Sequence, residues 1–71
     1  MNTLIFKTSI NSQHDFLTVR SAMEQRFVIK ESTIDLEDHD KVLRVITNQY
    51  QPQIIADEVK KLGFFCEELE D

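Results

Sequence analysis

The chain has 71 residues, 41% of them hydrophobic, with a single glycine and a single proline, which fits one small globular domain and excludes low-complexity sequence. Thirteen acidic residues against eight basic ones leave a net charge of −5, so the phosphate-neutralising attraction behind nucleic-acid or anionic-membrane binding is missing. No apolar run approaches the roughly 20 residues that cross a bilayer, and the start "MNTLIFKTSI" has no signal-peptide pattern. The lone cysteine, Cys66, cannot form an internal disulfide, and with no targeting signal the expected location is the cytoplasm.

In chain order, "TLIFKTSI" alternates with a period of two and is rich in β-branched residues, which predicts a strand. Both of its phases carry apolar weight, with Leu4, Phe6 and Ile10 the favoured inward set. Phe16, Val19, Met23 and Phe27 then recur at threes and fours beside Leu17 and Ala22, one face of a helix. "VIKESTIDL" returns to alternation through Lys30, Ser32, Ile34 and Leu36, and "KVLRVITN" follows after the short polar "EDHD", which reads as a hairpin. Pro52 suits the first position of a second helix and Gly63 suits its left-handed C-cap. Between them Ile55, Val59 and Leu62 form the inward stripe with Ile54 or Ala56, and Lys60 and Lys61 complement the helix dipole. "FFCEEL" is a short last strand, trailing into an acidic end, "EELED".

The order βαββαβ with right-handed crossovers predicts an α+β fold, the ferredoxin-like sandwich: a four-stranded antiparallel sheet with two helices on one face. This architecture hosts unrelated activities, so function has to come from a site. RNA-recognition domains of this topology need a basic third strand studded with aromatics, and "KVLRVITN" has no aromatic. Acylphosphatase-like enzymes need Gly and Arg in the loop after the first strand, and "INSQHD" has neither.

Three stretches carry a more specific likeness. "FKTSIN", "STIDLEDHDKVLRVI" and "IIADEVKKLGFFCE" resemble, in order, the first strand and loop, the hairpin, and the second helix with last strand of the heavy-metal-associated domain. That domain is the fold of small copper chaperones and of the N-terminal modules of copper-transporting ATPases, and the resemblance spans essentially all of residues 1–71 as one domain. It implies a metal loop of the form M-x-C-x-x-C, where this chain has Ile10, Ser12 and Asp15. Both thiols are gone. Cu(I) is soft and takes thiolate ligands, whereas a hydroxyl and a carboxylate are hard oxygen donors, so Cu(I) is not expected to be held here.

The altered loop gains something instead. Ser12-Gln13-His14-Asp15, followed by apolar Phe16, is close to a capping box, with Ser12 accepting from the Asp15 N–H and the carboxylate either reaching back to the cap or sitting favourably on the helix dipole. Asn11 precedes it, so the simple hydrophobic staple is absent. The alternative is a harder, weak site in which Ser12, His14 and Asp15 ligate Zn(II), Ni(II) or Cu(II), with a second chain to complete the shell.

Cys66 reads as a small buried hydrophobe, and Phe64, beside the loop in the resemblance, as core over Ile10 and Phe16. "DLEDHD" lacks the glycine turn and distal Glu of a calcium loop and reads as a solvated hairpin tip, placed at the other end of the sheet from the first loop, so that His14 and His39 share no ion. No nucleophile–base pair stands out, so catalysis is not expected. With the resemblance, the expectation is a non-enzymatic domain that has lost cysteine-based Cu(I) binding and works as a protein-interaction or regulatory module, with no cofactor. Its expected partners are a second copy, or a transporter domain or other protein of the same type, meeting the open sheet face around Ile5, Leu43 and Val45 or their neighbours.

Overall fold

Six elements follow in the predicted order: β1 (Asn2–Thr8), α1 (Gln13–Arg26), β2 (Glu31–Asp35), β3 (Val42–Thr47), α2 (Pro52–Lys61) and β4 (Cys66–Glu68). The computed structural model describes residues 2–48 and 51–69; of the acidic end, Glu70 and Asp71 lie outside that range. The strands form one sheet in the order β2-β3-β1-β4, every neighbouring pair antiparallel. This is the ferredoxin-like arrangement, in which each helix links two strands that are not neighbours in the sheet.

Register decides which phase of each strand is buried. Leu4 lies opposite Val45 and Phe6 opposite Leu43, and these four side chains join Ile10 and Cys66 beneath the helices. From above come Phe16, Val19 and Met23 of α1 and Ile55, Ala56 and Val59 of α2. Fully burying an apolar side chain of this size contributes roughly 1.5–3 kcal/mol, so this shared interior is the main source of stability. Leu43 and Val45 are both 0% exposed, which corrects their assignment to the open sheet face. The face turned away from the helices instead carries Ile5 opposite Arg44 and Thr3 opposite Ile46. Ile5 and Ile46 are half-buried there, Thr3 and Arg44 exposed.

The helix ends follow their local chemistry. Pro52 opens α2, and Gly63 follows its end with φ +96°, its N–H donating to the Lys60 carbonyl at 3.0 Å. A Cβ at Gly63 would meet nothing within 4 Å, so the glycine is there for its backbone angle and not for space. Ala56, not Ile54, completes the buried stripe of α2; Ile54 is 47% exposed. Glu58 is the residue the periodicity does not anticipate. It is only 8% exposed, and its Oε2 accepts from Arg26 Nε at the end of α1, 3.2 Å away, tying the two helices together.

Candidate functional site: the loop end of the sheet

β1 runs toward one end of the sheet, where the β1–α1 loop, the β2–β3 turn and the α2–β4 loop meet. Thr8 is the junction. Its N–H donates to the Asp40 carbonyl (3.0 Å), its hydroxyl donates to the Lys41 carbonyl (2.7 Å), and the same oxygen accepts from the Ile10 N–H (3.2 Å). Lys7 pairs with Asp40 at 3.5 Å across the same seam. Ser9 fastens the third loop: its N–H donates to the Phe65 carbonyl at 3.2 Å and its hydroxyl accepts from the Phe65 N–H at 2.8 Å. The hairpin tip therefore stands at the same end as the first loop, which corrects the expectation of opposite ends. The reason is topological: β2 and β1 both pair antiparallel with β3, so they run parallel to each other and finish on one side.

Ser12 is the N-cap of α1, with φ −152° and ψ 161°, and its side-chain oxygen accepts from the Asp15 N–H at 3.1 Å. Its carbonyl takes the first intrahelical bond, from the Phe16 N–H at 3.0 Å. This is the predicted cap. Only half of the reciprocal box is formed among the described residues, because the Asp15 carboxylate does not bond back to the Ser12 N–H; it lies in the first turn, where the dipole favours a negative charge. His14 is exposed on the first turn, and its carbonyl accepts from the Thr18 hydroxyl at 3.2 Å. Ser12 and Asp15 are thus joined by a bond from the Asp15 backbone N–H to the Ser12 side chain, while His14 is exposed.

The hairpin tip is organised by its own carboxylates. One Asp35 oxygen accepts from the N–H groups of Glu37 and Asp38, both at 3.2 Å, and an Asp38 oxygen accepts from the Asp40 N–H at 2.8 Å. Lys41 takes φ +48° to close the turn, and its ammonium donates to the Leu36 carbonyl at 2.7 Å. Asx turns of this kind shape the loop through its own side chains. Among the described residues no three His, Cys, Asp or Glu side chains converge as a metal-binding group, although the start of α1 with His14 and the hairpin tip with His39 share one end of the molecule.

Ile10, which the sequence resemblance sets against a methionine, is 0% exposed and belongs to the core, as does Phe16; Phe64 is half-buried against that core. Phe65, its neighbour, is 49% exposed. Cys66 is 1% exposed, and burial pushes its thiol up to about 12, against a smaller opposing pull from Lys60. A protonated, enclosed thiol is a poor metal ligand and a poor nucleophile. The donors at the first loop are hard oxygens and an exposed imidazole, so the residues present do not fit Cu(I).

No protein-family model matches the sequence, and no curated protein does. Solved structures match its shape end to end. The yeast copper transporter domain Ccc2A, described in apo and Cu(I)-loaded states, superimposes with a TM-score of 0.83 at 18% identity, covering 100% of this chain and 99% of its own. The N-terminal domain of PacS from Synechocystis PCC6803 gives 0.80 at 14% identity, covering 99% of this chain and 100% of its own. The chain therefore has the fold of these domains along its whole described length. No helix among the described residues is long and apolar enough to cross a membrane.

Proposed function

We propose that this chain is a single heavy-metal-associated-like domain, non-enzymatic and cytoplasmic, in which the metal loop has become a helix cap and the fold acts by docking on other proteins. One observation carries the reading: the Ser12 oxygen accepts from the Asp15 N–H, so of the two positions that the sequence resemblance gives to thiolates, one holds a hydroxyl that caps α1 and the other a carboxylate in its first turn. The net charge of −5 sets nucleic acid and anionic membrane aside as partners. The partner this reading names is a second copy or another domain of this fold. Catalysis has no support in the buried, protonated Cys66.

The test is an anaerobic competition titration of the protein with Cu(I) against a chromogenic chelator, with Zn(II) run in parallel. The expected result is that Cu(I) stays on the chelator and Zn(II) is held no better than by a surface histidine. One equivalent of either ion held with sub-micromolar affinity overturns the cap reading, and loss of that binding in His14→Ala or Asp15→Ala would assign the ligands.

A further inference from the structure

A groove runs between α2 and β4, about 370 Å³ in volume, lined by Pro52, Ala56, Lys60, Phe65, Cys66 and Glu68 among others. β4 is an edge strand, hydrogen-bonded among the described residues only to β1. The ladder pattern fixes which way its backbone points. Ser9 N–H donates to the Phe65 carbonyl and Leu69 N–H donates to the Ile5 carbonyl, and with the register of Lys7 opposite Glu67 these are the hydrogen-bonded pairs. In an antiparallel ladder such pairs alternate with pairs whose N–H and C=O point away from each other. Cys66 and Glu68, opposite Thr8 and Phe6, are therefore the residues that turn their backbone donors and acceptors outward, beside the groove.

An open edge next to a helix groove is the arrangement that accepts an added strand, main-chain bonds giving affinity and alternate side chains giving specificity. Charge chooses the occupant. Two copies meeting edge to edge about a two-fold axis would set the glutamates of both β4 strands, Glu67 and Glu68, against one another, and like charges across a strand pair are destabilising. A short, acidic edge is itself a defence against self-pairing. A basic strand meets no such penalty. Its side chain opposite Cys66 would enter the groove over Ala56, both nearly buried, which suits a small apolar residue. Side chains opposite Glu67 and Glu68 would meet exposed carboxylates. Lys60, from the last turn of α2, is the basic residue of the lining.

We propose that the β4 edge and the α2 groove bind an extended, lysine- or arginine-bearing segment of a partner protein as a fifth strand, with a small apolar side chain seated over Ala56 and Cys66. This rests on the interaction-module reading and names its surface.

The test uses the full chain, isotopically labelled, titrated with the synthetic peptide acetyl-Thr-Lys-Lys-Ala-Lys-Lys-Thr-amide, which in either strand direction sets Lys opposite both Glu67 and Glu68 when Ala lies opposite Cys66. Controls are the same peptide with every Lys replaced by Glu, and one N-methylated on alternate residues so that it cannot form a ladder. Binding of the lysine peptide should move the amide signals of Ala56, Lys60, Cys66 and Glu68. N-methylation should abolish the shifts, and the charge reversal Glu67→Lys/Glu68→Lys, at exposed positions, should weaken binding about tenfold. No shifts at millimolar peptide, equal binding of the glutamate peptide, indifference to N-methylation, or shifts confined to the open face around Ile5 and Ile46 would each overturn the proposal. The metal titration separates the two failures. Absence of peptide binding with no Cu(I) uptake removes this groove alone, whereas Cu(I) uptake removes the cap reading whatever the peptide does.

Discussion

Replacing Ser12 by alanine is the sharpest probe of the first loop, because it removes one acceptor and little else. In the wild-type chain the hydroxyl oxygen stands 3.1 Å from the Asp15 nitrogen, half-buried, and satisfies one of the N–H groups that α1 cannot pair internally. Losing an N-cap serine costs about 1 kcal/mol, within a span of roughly 0.5–2. Unfolding entropy of about 2.1 cal/mol/K per residue near 60 °C gives about 0.15 kcal/mol/K for a chain of this length, so that loss lowers Tm by about 7 °C. Far-UV circular dichroism during heating, with urea unfolding alongside, reads both quantities. Ser12→Asp keeps an acceptor and adds a charge the dipole favours, so it should hold or raise Tm. A Ser12→Ala protein that melts within a degree of wild type, or a Ser12→Asp protein that falls as far as the alanine variant, refutes the capping account.

Four further expectations test the ion pair between the helices, the buried thiol (twice) and the first loop again. Arg26→Ala leaves the nearly buried Glu58 carboxylate without its cation and should destabilise by about 1–3 kcal/mol, with Glu58→Gln in that background recovering part of the loss, both read by urea unfolding. Cys66 should resist a disulfide-exchange reagent in the native protein at mildly alkaline pH and react with one equivalent once unfolded. Because its thiol is raised from about 9 to about 12 on folding, the unfolded chain releases the proton first; stability relative to Cys66→Ala is then intact below pH 9 and falls by about 1.4 kcal/mol per pH unit between 9 and 12. The double change Ser12→Cys/Asp15→Cys puts two thiols at the start of α1, where the dipole favours thiolates, and should take up one equivalent of Cu(I) that wild type leaves on the chelator; no uptake would show that the fold has lost more than its ligands.

What the sequence determined by itself is whatever local chemistry decides. The switch of period from two to 3.6 and back placed the six elements, Pro52 and Gly63 marked the limits of α2, and S-x-x-D before Phe16 located the cap of α1, because a cap is made between residues three apart. What needed the tertiary structure is whatever depends on a partner far away in the chain. Leu43 and Val45 were assigned to the open face because Val42 and Ile46 offer an equally apolar alternate phase; only the pairing of Leu43 with Phe6 and Val45 with Leu4 turns that phase toward the helices. Glu58 looks like a solvent-facing charge until Arg26, 32 residues earlier, arrives to pair with it. The meeting of three loops at Thr8 and Ser9, and the backbone of Cys66 and Glu68 turned outward beside α2, follow from strand order and register. Neither is written in any one segment, because hydrogen-bond direction in a sheet is set by which strand lies alongside.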